Sequence, residues 1–200
     1  MMKRSVLYLG LDPSRWVTNL PMIHYPVICI KPKSEALLCK YPESTHILFT
    51  SRSAVRYWNV FEGKTLLAVG EATAELLRQK GFAPFVAPEA TQEGMIELLK
   101  SLDLRGAYLV WPRSARARDT LTTYLQTLKS SARIAIIDLY ETSYQKLEPV
   151  PCLEEIEEIV FTSPSTVDGF LRIYGSLPKD KQLTAIGPVT SSYLRNSLLR

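Results

Sequence analysis

Two stretches concentrate hydroxyl side chains at points where an apolar run gives way to helical periodicity: Thr50-Ser51-Arg52-Ser53 and Thr162-Ser163-Pro164-Ser165. A hydroxyl there can accept from the free N–H groups of a helix's first turn. Those same N–H groups and hydroxyls can instead hold a carboxylate or phosphate. Capping and anion binding are both open for each residue, and Pro164 suits a first helical turn in either case. Two further stretches, Gly70-Glu-Ala-Thr73 and Gly187-Pro-Val-Thr190, end a strand in glycine, which lets a ligand approach the backbone. They lack the Gly-Lys-Ser or Gly-Lys-Thr ending of a nucleotide phosphate loop. The candidate substrate-binding residues are therefore Thr50, Ser51, Ser53, Gly70, Thr73, Thr162, Ser163, Ser165, Gly187 and Thr190, and the ligand they suit is an anion.

A cationic cluster adds to this. Arg113, Arg116 and Arg118 follow the apolar run Tyr108-Leu-Val-Trp111 where a helix is expected to start. A helix dipole disfavours positive charge at that end, so an anionic ligand near Arg113 and Arg118 would explain the placement. The alternative is a solvated helix start. The net charge of +4 gives no basic stripe of the kind a nucleic-acid face carries. Cys29, Cys39 and Cys152 are odd in number and far apart, which fits reduced thiols rather than a disulfide framework or a zinc site. His24 and His46 have no ligand partners at helical spacing, so no metal is expected. No apolar run approaches a membrane span and the start of the chain lacks a signal-peptide pattern, so a cytoplasmic protein with no membrane partner is expected.

The elements that must position these groups come in two copies. Phe49-Thr-Ser-Arg-Ser-Ala-Val55 reappears as Phe161-Thr-Ser-Pro-Ser-Thr-Val167, identical at five of seven positions. Ala68-Val-Gly-Glu-Ala-Thr73 is answered by Ala185-Ile-Gly-Pro-Val-Thr190. Short Val/Ile/Leu runs alternating with helical patterns predict strands near 6–9, 27–30, 47–49 and 66–69, then 108–111, 134–139, 159–161 and 183–186. Strands apolar on both faces suit a parallel sheet covered by helices. The fold class is α/β: two similar doubly wound, flavodoxin-like domains from an internal repeat. Proline-bearing linkers fall inside each copy, at 33–41 and 144–151, whereas the copies meet at a tight turn, Leu102-Asp-Leu-Arg-Gly106. This predicts a discontinuous domain of 1–32 with 152–200, a second domain of 42–143, a two-stranded linker and a hinged cleft.

The chain resembles the uroporphyrinogen-III synthase family. The resemblance rests on Phe49-Thr-Ser-x-x-Ala-Val55, Val69-Gly-x-Ala-Thr-Ala74 with Gly81 and Glu93-Gly94, Arg118-Asp-x-Leu121, Tyr140-Glu-Thr142, Phe161-Thr-Ser-Pro164 and Ile186-Gly-Pro-x-Thr190. It implies cyclisation of hydroxymethylbilane, a linear tetrapyrrole bearing eight carboxylates, to uroporphyrinogen III, with loss of water and inversion of the last pyrrole ring. It implies no cofactor, and a place directly after the deaminase that makes the substrate. It also makes Tyr140 the candidate catalytic residue, donating a proton to the departing hydroxyl; a packing tyrosine bonded through its hydroxyl is the alternative.

Two departures from the family pattern bear on function. Arg52 stands where relatives often have proline. The first copy continues through Phe82–Ala87, a predicted fifth strand, and a helix over 91–100, whereas the second ends at Arg200. One domain is therefore expected to have a four-stranded sheet with an exposed edge. A two-lobed anion-binding module without turnover, and a synthase fold that has lost activity, are the competing readings.

Overall fold

A computed structural model describes residues 4–34 and 41–199. The expectations for Cys39 and for 35–40 of the first linker lie outside them. The strands are β1 (Ser5–Tyr8), β2 (Met22–His24), β3 (Ile28–Pro32), β4 (His46–Phe49), β5 (Thr65–Ala68), β6 (Phe85–Val86), β7 (Tyr108–Ser114), β8 (Arg133–Tyr144), β9 (Ile156–Phe161) and β10 (Gln182–Ala185). The helices are α1 (Arg52–Tyr57), α2 (Glu71–Gln79), α3 (Gln92–Lys100), α4 (Thr120–Thr127), α5 (Pro164–Tyr174) and α6 (Pro188–Leu198). The chain forms two compact units, Met1–Cys29 with Thr142–Arg200 and Ile30–Glu141.

In the second of these units the sheet order is β3-β8-β7-β4-β5-β6, with β8 through β6 parallel. Both faces are apolar, which is why β4 and β5 read as unbroken hydrophobic runs. Ile47, Phe49 and Ala68 pack with Ala54, Val55, Ala74 and Leu77 of α1 and α2 on one face. Leu48, Leu67 and Trp111 pack with Met95, Leu99, Leu121 and Leu125 of α3 and α4 on the other. Strands β4 to β6 are added outward in one direction and β7 to β8 in the other, so the order reverses between β4 and β7. In open α/β sheets the carboxyl ends at such a reversal are where ligands bind.

The discontinuous unit repeats the plan in smaller form: β10-β9-β1-β2, all parallel, reversing between β1 and β9, with β10 at an edge. Leu7, Leu9, Ile159 and Phe161 pack against Val167, Phe170 and Leu194 of α5 and α6. The opposite face holds only a small cluster, Val6, Tyr8 and Val160 beneath Trp16, Leu20, Met22 and Ile186.

Several boundaries differ from expectation. The strand beside β1 is Met22–His24, too short to stand out as a pattern, while 28–32 pairs with β8 in the other sheet. Strand β8 does not stop at 139 but runs on to Tyr144, so the second linker begins inside a strand. Strand β7 extends through Arg113 to Ser114 because its pairing continues to Asp138 and Tyr140 of β8. The predicted fifth strand shrinks to Phe85–Val86.

Helix α5 crosses the chain at Gly169, where an added Cβ would lie 2.7 Å from Val27 Cγ2 and 3.0 Å from the Val27 carbonyl oxygen. Gly169→Ala is expected to destabilise by roughly 1–3 kcal/mol, the cost of overpacking a filled site. Urea unfolding checks this, and adding Val27→Ala should recover part of the loss.

Candidate functional site

At the carboxyl end of β4, Ser51 stands at the N-cap of α1 in an extended conformation (φ −161°, ψ 154°), and its Oγ accepts from the Ala54 amide at 3.0 Å. The same oxygen is 2.7 Å from the Tyr140 hydroxyl. With the Ala54 N–H on one Ser51 lone pair, either hydroxyl can donate to the other, and in one arrangement Ser51 donates to the Tyr140 oxygen. That arrangement leaves the phenolic hydrogen free to point elsewhere. Tyr140 is 5% exposed. Burial pushes its pKa above the usual phenol value, while the Ser51 and Ser53 side chains pull the other way by favouring the charged form. The Thr50 hydroxyl is committed differently: its Oγ1 accepts from the Trp111 indole at 2.9 Å, tying the end of β4 to β7.

The arginines turn out to be partnered within the fold. Arg113 lies on β7, not at a helix start, and donates from Nε to Asp138 Oδ1 at 3.0 Å and from Nη1 to Thr122 at 2.8 Å, with its guanidinium 5.1 Å from the Trp111 ring. Arg118 meets Glu93 with both terminal nitrogens at 3.1 Å. Glu93 is held below the usual carboxylate range, first by its own backbone N–H and then by Arg118. The placement that called for an external anion is thus explained by two internal carboxylates, Asp138 and Glu93, each 25 residues away along the chain and unmarked by any local pattern.

The two glycine turns are not equivalent. Gly70 is buried, and the space where a side chain would project is filled by Ala90, whose Cβ lies 2.7 Å away. Gly187 is exposed, has φ +86°, and meets nothing within 4 Å in that direction. The left-handed conformation accounts for the glycine. Thr73 and Thr190 occupy matching places in the first turns of α2 and α6 and are 4% and 3% exposed.

In the discontinuous unit, the end of β9 is organised by Thr166, a residue without a place in either hydroxyl motif as read from the sequence. Its Oγ1 accepts from the amides of Thr162 (3.1 Å) and Ser163 (3.2 Å) and donates to the Ser163 carbonyl (2.7 Å). Ser163 sits at the N-cap of α5, but its Oγ approaches the first turn without the geometry of a hydrogen bond and is buried without a partner. Ser165 is partly exposed in that first turn. Gly10, just beyond β1, packs directly on Thr162, whose side-chain atoms lie 2.5 and 2.6 Å from the position of an added Cβ. Its carbonyl is 2.8 Å from His24 Nε2. A glycine directly after an apolar strand, as at Gly70 and Gly187, was the signal that could have found Gly10. Among the described residues no group of three or more His, Cys, Asp or Glu could hold a metal, and no helix is long and apolar enough to cross a membrane.

The sequence profile described as uroporphyrinogen-III synthase HemD matches residues 20–200. A Methanothermobacter thermautotrophicus protein named, provisionally, as a uroporphyrinogen-III synthase is 26% identical over an alignment of 169 residues that covers 72% of this chain and 66% of that protein. The fold is shared with the uroporphyrinogen III synthase of Thermus thermophilus, in a mutant form (TM-score 0.62, 16% identity, 96% of this chain and 88% of that one), and with that of Helicobacter pylori 26695 (TM-score 0.62, 18% identity, 96% and 88%).

The matched serines give a direct comparison. Ser51→Ala removes a cap hydrogen bond and should cost about 1 kcal/mol in urea unfolding. Ser163→Ala removes a hydroxyl that faces the Thr166 amide in a capping box without completing a hydrogen bond, so its cost should be smaller than that of Ser51→Ala.

Proposed function

The chain belongs to the uroporphyrinogen-III synthase family, and we propose that it carries out that chemistry as a cyclising hydro-lyase, converting hydroxymethylbilane to uroporphyrinogen III with release of one water. The observation that carries the proposal is the Ala54–Ser51–Tyr140 hydrogen-bonded chain at the point of strand reversal. The Tyr140 hydroxyl gives its proton to the departing hydroxyl of the substrate, and water leaves. An azafulvene remains, and the substituted carbon of the last pyrrole ring attacks it. That carbon bears no hydrogen, so its old bond to the methylene bridge breaks, the bridge rejoins at the ring's unsubstituted α-carbon, and the proton lost from that carbon returns to Tyr140, which balances the sequence. Burial keeps the phenol protonated until it is used, and the Ser51 and Ser53 hydroxyls stabilise the oxygen while it carries charge.

The remaining roles concern holding a flexible polycarboxylate, where much of the rate comes from positioning. Thr162, Ser163, Ser165 and the exposed Gly187 turn with Thr190 are the proposed carboxylate contacts of the discontinuous unit. In the other unit Thr50, Ser51, Ser53, Gly70 and Thr73 fill that part, with Arg113 and Arg118 exchanging Asp138 and Glu93 for substrate carboxylates. Residues 1–32 with 152–200 and residues 42–143 are proposed as the functional domains, with 33–41 and 144–151 as the linkers and the adjoining strands β3 and β8 as the place where the chain passes between the units. Two facts support this: both passages between the compact units, 29/30 and 141/142, fall inside these strands, and the pair carries backbone bonds from Lys33 to Leu139 (2.9 Å) and from Gln145 to Val27 (3.0 Å). The cytoplasm and receipt of substrate from the deaminase complete the proposal.

Hydroxymethylbilane generated by its deaminase, incubated with this protein and then oxidised, should give type III uroporphyrin in excess. Type I alone, the product of spontaneous closure, would reject the proposal. Tyr140→Phe should lower kcat by about 10²-fold or more with KM nearly kept, since only the proton donor is lost. Because the folded-state pKa of Tyr140 is raised, any alkaline loss of kcat caused by its ionisation should have its midpoint above the ordinary phenol value of 10.0 and should be absent from Tyr140→Phe. A pH profile of single-turnover rates checks this.

A further inference from the structure

Among the described residues, two buried side-chain polar atoms have no hydrogen-bond partner: Trp16 Nε1 and Ser163 Oγ. Both stand on loops leaving the neighbouring strands β1 and β9, the pair at which the smaller sheet reverses its order. Buried polar groups are otherwise almost always satisfied, so each exception calls for a reason. The chain's other two tryptophans obey the rule: Trp58 donates to the Val60 carbonyl at 2.7 Å and Trp111 to Thr50 at 2.9 Å.

Trp16 is held by apolar contact alone. Its side chain packs over Val6, Tyr8 and Val160 in company with Leu20, Met22 and Ile186. The backbone beneath it is a single 3-10 turn, Pro13–Arg15, closed by the Trp16 amide on the Pro13 carbonyl at 3.2 Å, and the next residue, Val17, is 93% exposed. Phenylalanine would serve the packing as well, so the N–H is what distinguishes tryptophan here. Its surroundings are strand ends already implicated in binding. Gly10, six residues earlier, touches Thr162, and Ile186 of the same apolar cluster is followed by the exposed Gly187 turn.

We propose that Trp16 is a further substrate-positioning residue, its indole N–H donating to a carboxylate of the bound tetrapyrrole beside Ser163 and the Gly187 turn. The ligand class follows from the donor: an indole N–H can only donate, and a carboxylate is the acceptor that strengthens such a bond most. The identity of the carboxylate's owner rests on the synthase reading above. Because Trp16 Nε1 is buried, the segment around it must shift for the N–H to reach a ligand.

The test uses the full chain labelled with nitrogen-15 and uroporphyrin III, a stable octacarboxylate, as probe. Three indole signals are expected, assigned by Trp16→Phe, Trp58→Phe and Trp111→Phe. On saturation the Trp16 signal should move downfield while those of Trp58 and Trp111 stay in place. In Trp16→Phe, probe affinity should fall about tenfold, the loss expected for one hydrogen bond to a charged group. KM for hydroxymethylbilane should rise more than kcat falls, and the melting temperature should be level or higher, because an unmet donor has been removed. A Trp16 signal that stays put while the probe saturates overturns the proposal, and this measurement on the unmutated chain decides even if Trp16→Phe fails to fold. A variant that binds as the parent does would also overturn it. A parent protein that neither binds the probe nor yields type III product rejects the synthase reading, and this proposal with it.

Discussion

Everything functional in this chain depends on one topological constraint, the reversal of strand order at the centre of each parallel sheet. Strands that share a direction put all their carboxyl ends on one edge, and helices packed on the faces send the chain back to start the next strand. Where addition switches from one side to the other, the two central loops diverge onto opposite faces and leave a gap between them. In the larger sheet that gap lies between the ends of β4 and β7, which carry Thr50-Ser51-Arg52-Ser53 and Arg113. In the smaller sheet it lies between the ends of β1 and β9, which carry Gly10 and Thr162-Ser163. The two sheets therefore share a reversal of strand order with hydroxyl-bearing loops at its edge.

The two copies have spent their polar groups differently. At the end of β4 the hydroxyls are fully engaged: Ser51 with the Ala54 amide and Tyr140, Thr50 with Trp111. That network fixes rotamers, which suits the proposed role of Tyr140 in delivering a proton along one direction. At the ends of β1 and β9 the backbone is well satisfied by Thr166, yet Ser163 Oγ and Trp16 Nε1 remain without partners. Buried groups left unmet cost stability, and a ligand that meets them restores it. The proposed division is a rigid proton donor on one unit and unfilled donors for carboxylates on the other.

Much of this was legible in the residues, and the failures have identifiable causes. The α/β class and most strands followed from β4, β5, β7 and β9, whose apolar runs must be covered on both faces. Strand β2 escaped because Met22-Ile-His24 offers three residues and a histidine, and its place as a strand is set by the register with Val6 to Tyr8. The extension of β7 to Arg113 escaped because a charged residue in a strand is tolerated only through its neighbour Asp138, a contact between residues 25 apart. Sequence similarity also made the glycine turns look equal. What separates them is Ala90, which lies between β6 and α3 and fills the space beside Gly70 while Gly187 stays open. Pairing and occlusion of this kind are tertiary facts that no local pattern encodes.

If Arg113 and Arg118 serve the proposed polyanionic substrate, their internal partners keep the site from being a trap. An unpaired buried guanidinium would be costly before substrate arrives and would hold a carboxylate too tightly afterwards. Arg113 and Arg118 instead rest against Asp138 and Glu93, whose side chains are about half exposed. The Arg118–Glu93 pair, about half exposed on both sides, contributes little to stability and costs little to give up, whereas Arg113 is 16% exposed and its pair with Asp138 is costlier to break. On the proposed reading, binding at Arg118 is an exchange of partners with nearly balanced energies, and net affinity comes from the number of carboxylates engaged together, which favours a substrate carrying many carboxylates over fragments carrying one or two.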